Sequence, residues 1–254
     1  MRALGESDGH DGVATSPGPV ITPTTRMSMQ DASVGSLANS PQLGERAAAF
    51  IRGLIMSGRL KGGQFVRLER MVDELGISAT PVREALLALR GEGFVQLVPR
   101  RGFVVVPLSR DDIRDLFLVQ ADLAGELAAR TARTMTPARL IELERLQSAL
   151  ESAARGGDRD DIEGANHRFH RAINLAADSP KVSWFLATAV RYAPRYFYAS
   201  IHGWQEASVE DHHAILDALR RKNPTRAKAA MRKHVLHAGE LLVEHLEGVG
   251  FWDE

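Results

Sequence analysis

The sequence predicts a mainly α-helical protein in two parts. Residues 43–107 hold three short helical periods followed by two β-rich runs, and from Ser109 onward every period is helical. Residues 1–40, rich in Ser, Thr, Gly, Pro and Asp, sustain neither a period of 2 nor one of 3.6 and are expected to form a disordered tail. A length of 254 residues with 44% hydrophobic residues favours two domains, expected at 41–107 and 108–248, with 249–254 as a C-terminal tail.

The first helix of the N-terminal part is read from Ala47, Phe50, Ile51, Leu54 and Ile55, which recur on one helical face closed by Gly58. Leu68 to Leu75 is a short helix ended by Gly76. Thr80-Pro81 opens the next, because a proline in the first turn gives up an N–H that has no helical partner. Its inward face is Val82, Ala85, Leu86 and Leu89. Phe94 to Val98 and Phe103 to Pro107 read as strands joined by the tight turn Pro99-Arg100-Arg101-Gly102, with Gly102 free to take a positive φ. Six helical segments follow. They open at Ser109 with Asp112, Thr136-Pro137, about Asp158, Ser179-Pro180, Ser208 with Asp211, and Asn223-Pro224, and Pro194 is expected to kink the fourth. The fold class is therefore an N-terminal winged helix-turn-helix plus a C-terminal all-helical antiparallel bundle.

Composition narrows the function. The formal net charge is zero, but between Leu43 and Pro107 ten Arg or Lys stand against six acids, so this segment is basic by four. No apolar run approaches the ~20 residues of a membrane span, and the start MRALGESDGHDG has no apolar signal core. Without cysteine there is no disulfide, thiol nucleophile or thiolate metal site, which fits a cytoplasmic protein. In a winged helix-turn-helix the second helix of the pair enters the DNA major groove by its N-terminal end. Ser78 and Thr80 lie there with hydroxyls and backbone N–H groups for phosphates, and Arg83 can reach phosphate or the O6/N7 edge of guanine. Arg100 and Arg101, with Gly102 at the wing tip, are placed to meet the backbone or minor groove.

Histidines dominate the C-terminal half. Asn166 and His170 are four apart on one helical face, His212 lies in the fifth segment and His234 in the sixth. Three imidazoles from three helices suit a bundle-core site for Zn, Ni, Mn or Fe.

The stretch "LGISATPVREALLALRGEGFVQLVPRRGFVV" resembles the signature of GntR-type bacterial regulators, and the helical remainder resembles the FCD effector domain of their FadR-type branch. Six helices after the wing make it similar to the VanR-like subgroup. The resemblance, over about residues 43 to 248, implies a homodimeric transcriptional regulator that reads an inverted-repeat operator, acts as a repressor, and answers to a small carboxylate bound beside a metal. The patterns "NHRFHRAI", "EDHHAILDAL" and "AMRKHV" match the family's metal-binding segments and imply Asn166, His170, His212 and His234 as ligands. The chain departs from the family at several places. Ala79 stands where an Arg is usual, and Glu69, flanked by Arg67 and Arg70, stands where another is usual, so a different operator is expected. Asn166 replaces the more frequent Asp, while Gln120 and Ala124 replace an Arg and a Glu that line the family's pocket. Arg191, Tyr192 and Arg195 are the candidates to replace that acid-binding contact beside Gln120. The rival readings are a metal-dependent hydrolase, which lacks an H-E-x-x-H arrangement, and a dimerisation module without an effector.

Overall fold

A computed structural model describes residues 31–192, 198–199 and 201–253. Of the tail expected at residues 1–40, residues 1–30 lie outside the described residues, as do the proline at 194 and the arginine at 195. The chain divides into units Met1–Ala38 and Asn39–Glu254; the head from Asn39 onward, the bundle and every contact between them lie in the second.

The head runs α1 (Asp31–Met56), β1 (Phe65–Val66), α2 (Leu68–Leu75), α3 (Ala79–Gly91), β2 (Val95–Val98) and β3 (Gly102–Val105). Helix α1 starts well ahead of Leu43, so residues 31–40 are helical rather than part of the expected tail. Gly76 caps α2 in the left-handed region at φ 63° and turns the chain into α3. Helix α3 runs through Gly91, and Gly93 at φ 83° makes the break. The wing has three strands rather than two, in the order β1-β3-β2, all antiparallel. A two-residue strand is too short to carry an alternation, so β1 is recognisable only through its pairing with β3. At the wing turn Arg100 and Gly102 both hold positive φ, 63° and 99°.

Six helices follow the wing among the described residues: α4 (Arg110–Arg133), α5 (Pro137–Gly156), α6 (Arg159–Ala176), α7 (Pro180–Val190), α8 (Trp204–Arg220) and α9 (Pro224–Gly248). Ser109 and Asp112 form a reciprocal capping box, and Thr136, Asp158 and Asn223 each cap the helix that follows. Two starts and ends differ from expectation. Helix α8 opens at Gly203, not at Ser208, because Trp204, Ser208, His212, Ile215 and Leu219 make one buried stripe that carries the helix a turn further back. Helix α7 ends at Val190, so it stops short of the position expected to kink it.

One core joins head and bundle without a break, from Ile51, Leu86, Leu89 and Phe94 to Phe117 of α4 and Leu242 and Leu246 of α9. A second, around Leu127, Phe169, Ile173, Ile215 and Met231, fills the far end of the bundle. Helices α4 and α9 approach closely at Gly239, where an added Cβ would fall 2.7 Å from Phe117 Cγ. Of the tail expected at 249–254, residues 249–253 are described and are packed rather than free: Phe251 and Trp252 pack on the first core, and the Trp252 indole N–H donates to the Leu108 carbonyl at 2.7 Å.

Candidate functional site

Two sites emerge, one on each part of the molecule. On the head, Arg67, Arg83, Arg101 and Gly102 line a single cleft of about 660 Å³ between the start of α2, the outer face of α3 and the wing. All three arginines are exposed. Arg101 holds its guanidinium 4.6 Å from the Phe65 ring centroid, which braces the wing tip with β1. Ser78, the N-cap of α3, makes no side-chain capping bond, so its hydroxyl and the first-turn amides face solvent beside the exposed Thr80. Arg100 is exposed at the turn and does not line the cleft, and Arg70 is engaged with Glu74 one turn on, at 2.7 Å. Leu87, 54% exposed one turn after Arg83, also borders the cleft. Its placement between inward Leu86 and Leu89 concealed it in the sequence.

In the bundle, α6 supplies His170, α8 His212 and α9 His234. Their Nε2 atoms converge: His170 Nε2 lies 3.3 Å from that of His212 and 3.2 Å from that of His234. Phe169 stacks on the His212 ring at 4.1 Å between centroids and fixes its plane. The Gln147 amide donates to Glu151 (3.0 Å) and to the Val209 carbonyl (3.3 Å), so its oxygen accepts from His212 Nδ1–H at 2.9 Å. The His212 Nε2 lone pair is thereby turned toward the cluster. Burial, then the neighbouring imidazoles, holds His170 and His212 well below the usual 6.5, so neither takes up a proton at neutral pH.

The donor set fits a divalent cation. Bonds of about 2.0–2.1 Å from imidazoles to one ion set neighbouring donors roughly 3.0–3.4 Å apart, the spacing seen here. His234 Nδ1 is buried without a hydrogen-bond partner, with the Asp211 carboxylate 3.6 Å away. His234, opposed by burial and aided by His237 at 3.0 Å, holds the Asp211 carboxyl down at about 2. Asn166 lies on the same side of α6 as His170, and its oxygen accepts from the Ser208 hydroxyl at 3.3 Å. His213 pairs with Glu151 at the surface, away from the cluster.

His170, His234 and Asn166 form part of the wall of a cavity of about 330 Å³ bounded also by α4, α7 and α9. Gln120 is on that wall, buried, and its amide donates to the Ala189 carbonyl near the end of α7 at 3.3 Å. Arg191 and Tyr192 are not, which corrects the expectation for them. Helix α7 ends before they are reached, and the chain turns them to the head, where Arg191 lies 3.5 Å from Glu45 and the Tyr192 ring 5.4 Å from that of Phe94. Sequence reasoning missed Glu163, Arg171 and Asn174, all on the wall. Glu163, Asn166, His170 and Asn174 recur at helical spacing on α6, a signal that would have found two of them. Nothing in the sequence marked Gln147.

A winged head that offers cations to a polyanion, joined to a helical domain with a histidine-walled cavity, defines a DNA-binding regulator with a separate helical domain. The comparisons agree. Residues 43–105 match the model described as bacterial regulatory proteins, gntR family, and residues 115–237 match that of the FCD domain. The chain is 30% identical to the probable D-xylose utilization operon transcriptional repressor of Paenarthrobacter nicotinovorans, over 73% of this chain and 82% of that protein. It is 29% identical to the Glc operon transcriptional activator of Escherichia coli K12, over 80% and 92%. The solved structure of E. coli McbR/YncC superposes with a TM-score of 0.61 at 25% identity, covering 80% of this chain and 98% of that one. The chain belongs to the GntR family and carries an FCD domain; it is a transcriptional regulator and not an enzyme. Among the described residues no helix is long and apolar enough to cross a membrane.

Proposed function

We propose that this regulator is a cytoplasmic homodimeric repressor whose grip on an inverted-repeat operator changes when a small carboxylate enters the α6–α9 cavity beside a metal ion held by His170, His212, His234 and Asn166. The observation that carries this reading is the convergence of three imidazole Nε2 atoms, two of their rings on the cavity wall. A divalent ion with an open position supplies a Lewis-acidic anchor for an acid group. Zn, Ni, Mn and Fe all suit imidazole donors, and an amide oxygen in place of a carboxylate leaves one more positive charge for that anchor. On the head, Arg83 reads a base edge while Arg67, Arg100, Arg101, Arg70 and the first turn of α3 hold phosphates. Ser78 and Thr80 contribute hydroxyls at that same turn, and Gly102 lets the wing come close to the backbone.

The route between the sites is α7. Leu186 and Val190 border the cavity, Gln120 ties its last turn to α4, and Arg191 and Tyr192 just beyond it rest on Glu45 and Phe94 of the head. An acid that prefers one setting of α7 shifts the population of head orientations by its differential affinity for the two states. The test selects the operator from random duplexes at fixed salt, then titrates metal-loaded and metal-stripped protein onto it with and without a panel of small acids. A metal-dependent change in operator affinity on adding one of the acids is the expected result. Operator binding indifferent to every acid and to metal would leave a dimerisation module.

A further inference from the structure

Glu163 takes no part in the reading above, yet it is an acid on the cavity wall, buried to 9% exposure. One oxygen, Oε1, accepts from the Ala199 backbone N–H at 3.0 Å, which fixes the carboxyl plane. The other, Oε2, is buried and has no hydrogen-bond partner. A buried carboxyl oxygen left without a donor costs about 1–3 kcal/mol, a cost the fold carries without return from its own side chains. The position in the fold suggests where the return comes from. Glu163 precedes Asn166 by one turn and His170 by two, so the three stand on one side of α6, the carboxyl roughly 5–10 Å along the axis from the metal-facing residues. That span is the length of a molecule with a few carbon atoms. Arg171, exposed, lies two turns further along α6 than Glu163, so the cavity wall carries an arginine and a carboxylate well apart along the helix.

We infer that the cavity selects an acid bearing a hydrogen-bond donor, a hydroxyl or ammonium group, at the end away from its metal-bound carboxylate, with Glu163 Oε2 as the acceptor. The inference rests on the acid-effector reading and narrows it. An unsubstituted aliphatic acid leaves Oε2 bare, and a diacid brings a second negative charge to a carboxyl. A hydroxyl satisfies the oxygen, and an ammonium adds a charge-assisted bond. Burial pushes the Glu163 carboxyl up to about 7, against the opposing backbone bonds from Ala199 and Tyr198, and a cationic group brought alongside draws it back toward the ionised form.

The experiment uses full-length metal-loaded protein and isothermal titration with straight-chain acids of three to six carbons in four versions: unsubstituted, ω-hydroxy, ω-amino and α,ω-diacid. The length series scans the distance between the two anchors. At one chain length the ω-hydroxy or ω-amino acid should bind about ten- to a hundredfold more tightly than the unsubstituted acid and the diacid. In Glu163→Leu that ratio should fall to about one. Glu163→Gln, which preserves shape should the leucine variant fold poorly, keeps an acceptor oxygen and should retain the hydroxy preference while losing the amino preference. Acids that bind wild-type protein equally with and without a donor, a preference for the diacids, or a ratio that survives in both variants would each overturn the inference while leaving the acid-effector reading intact. If no acid of any version binds, both fall together.

Discussion

The arginines of the head cleft stand apart in solvent, whereas in the bundle the imidazoles of His212 and His234, both buried, each come within 3.3 Å of His170. Separate exposed cations match a polyanion whose charges are themselves spaced, and each contributes alone. Converging lone pairs held neutral by burial match a single cation, and none is useful without the others. The two halves of the molecule should therefore respond differently to the loss of one side chain: stepwise in the head, all at once in the bundle.

The strongest break in that contrast is His212→Ala. Metal content, measured by mass spectrometry on purified protein, should fall from about one ion per chain to near zero, and the metal-dependent rise in Tm should vanish with it. Arg83→Ala should weaken specific operator binding by about 1–3 kcal/mol and flatten sequence preference at one half-site position, read by competition binding at fixed salt. Unaltered specificity would mean that another face of the head reads the bases. Gln147→Leu leaves all three imidazoles in place but removes the acceptor that orients His212, and a 10–100-fold loss of metal affinity is expected in a chelator competition. Equal affinity would show that stacking on Phe169 alone orients the ring.

A pH experiment sharpens the same contrast. His170 and His212 are depressed, so their contribution to stability is intact above about 6.5 and is lost as the pH falls below it and the unfolded chain takes up protons that the folded, metal-free protein resists. Glu163 is raised from 4.5 to about 7, so its contribution is fully present below 4.5 and is lost as the pH rises through 7. Glu163→Gln should then stabilise the metal-free protein at pH 8–9 by on the order of 1–3 kcal/mol and leave it nearly unchanged at pH 4–5, seen as a Tm gain that grows with pH. The smallest effect belongs to Arg101→Ala: weakening across all sequences alike, with the salt dependence of binding reduced by about one counterion.

Much of this was legible in the sequence, for identifiable reasons. Helices α2 and α3 and the caps at Ser109, Thr136, Asp158 and Asn223 were readable because glycine, proline and capping side chains act through their own backbone. His170, His212 and His234 were singled out because three short patterns around them match the family's metal-binding segments, and the fold brings the three together. What escaped depends on tertiary neighbours. Ser208 and Asp211 have the pattern of a helix start but face inward, one toward Asn166 and the other toward His237. Arg191 and Tyr192 were assigned to a pocket because the helix was drawn too long, and β1 exists only through β3. Glu163 resembles any solvated glutamate until the Ala199 amide and the cavity wall surround it.

The bond from Trp252 to Leu108 fastens the far end of the chain to the joint where the wing passes into α4, and Lys61 of the head reaches the Asp253 carbonyl at 3.4 Å beside it. Any rotation of the reading head about that joint must either drag this clasp along or undo it. The joint between wing and α4 is thus bolted by residues remote from it in sequence, and under the proposed mechanism the ease with which an effector turns the head is set as much by this one indole as by the acid itself.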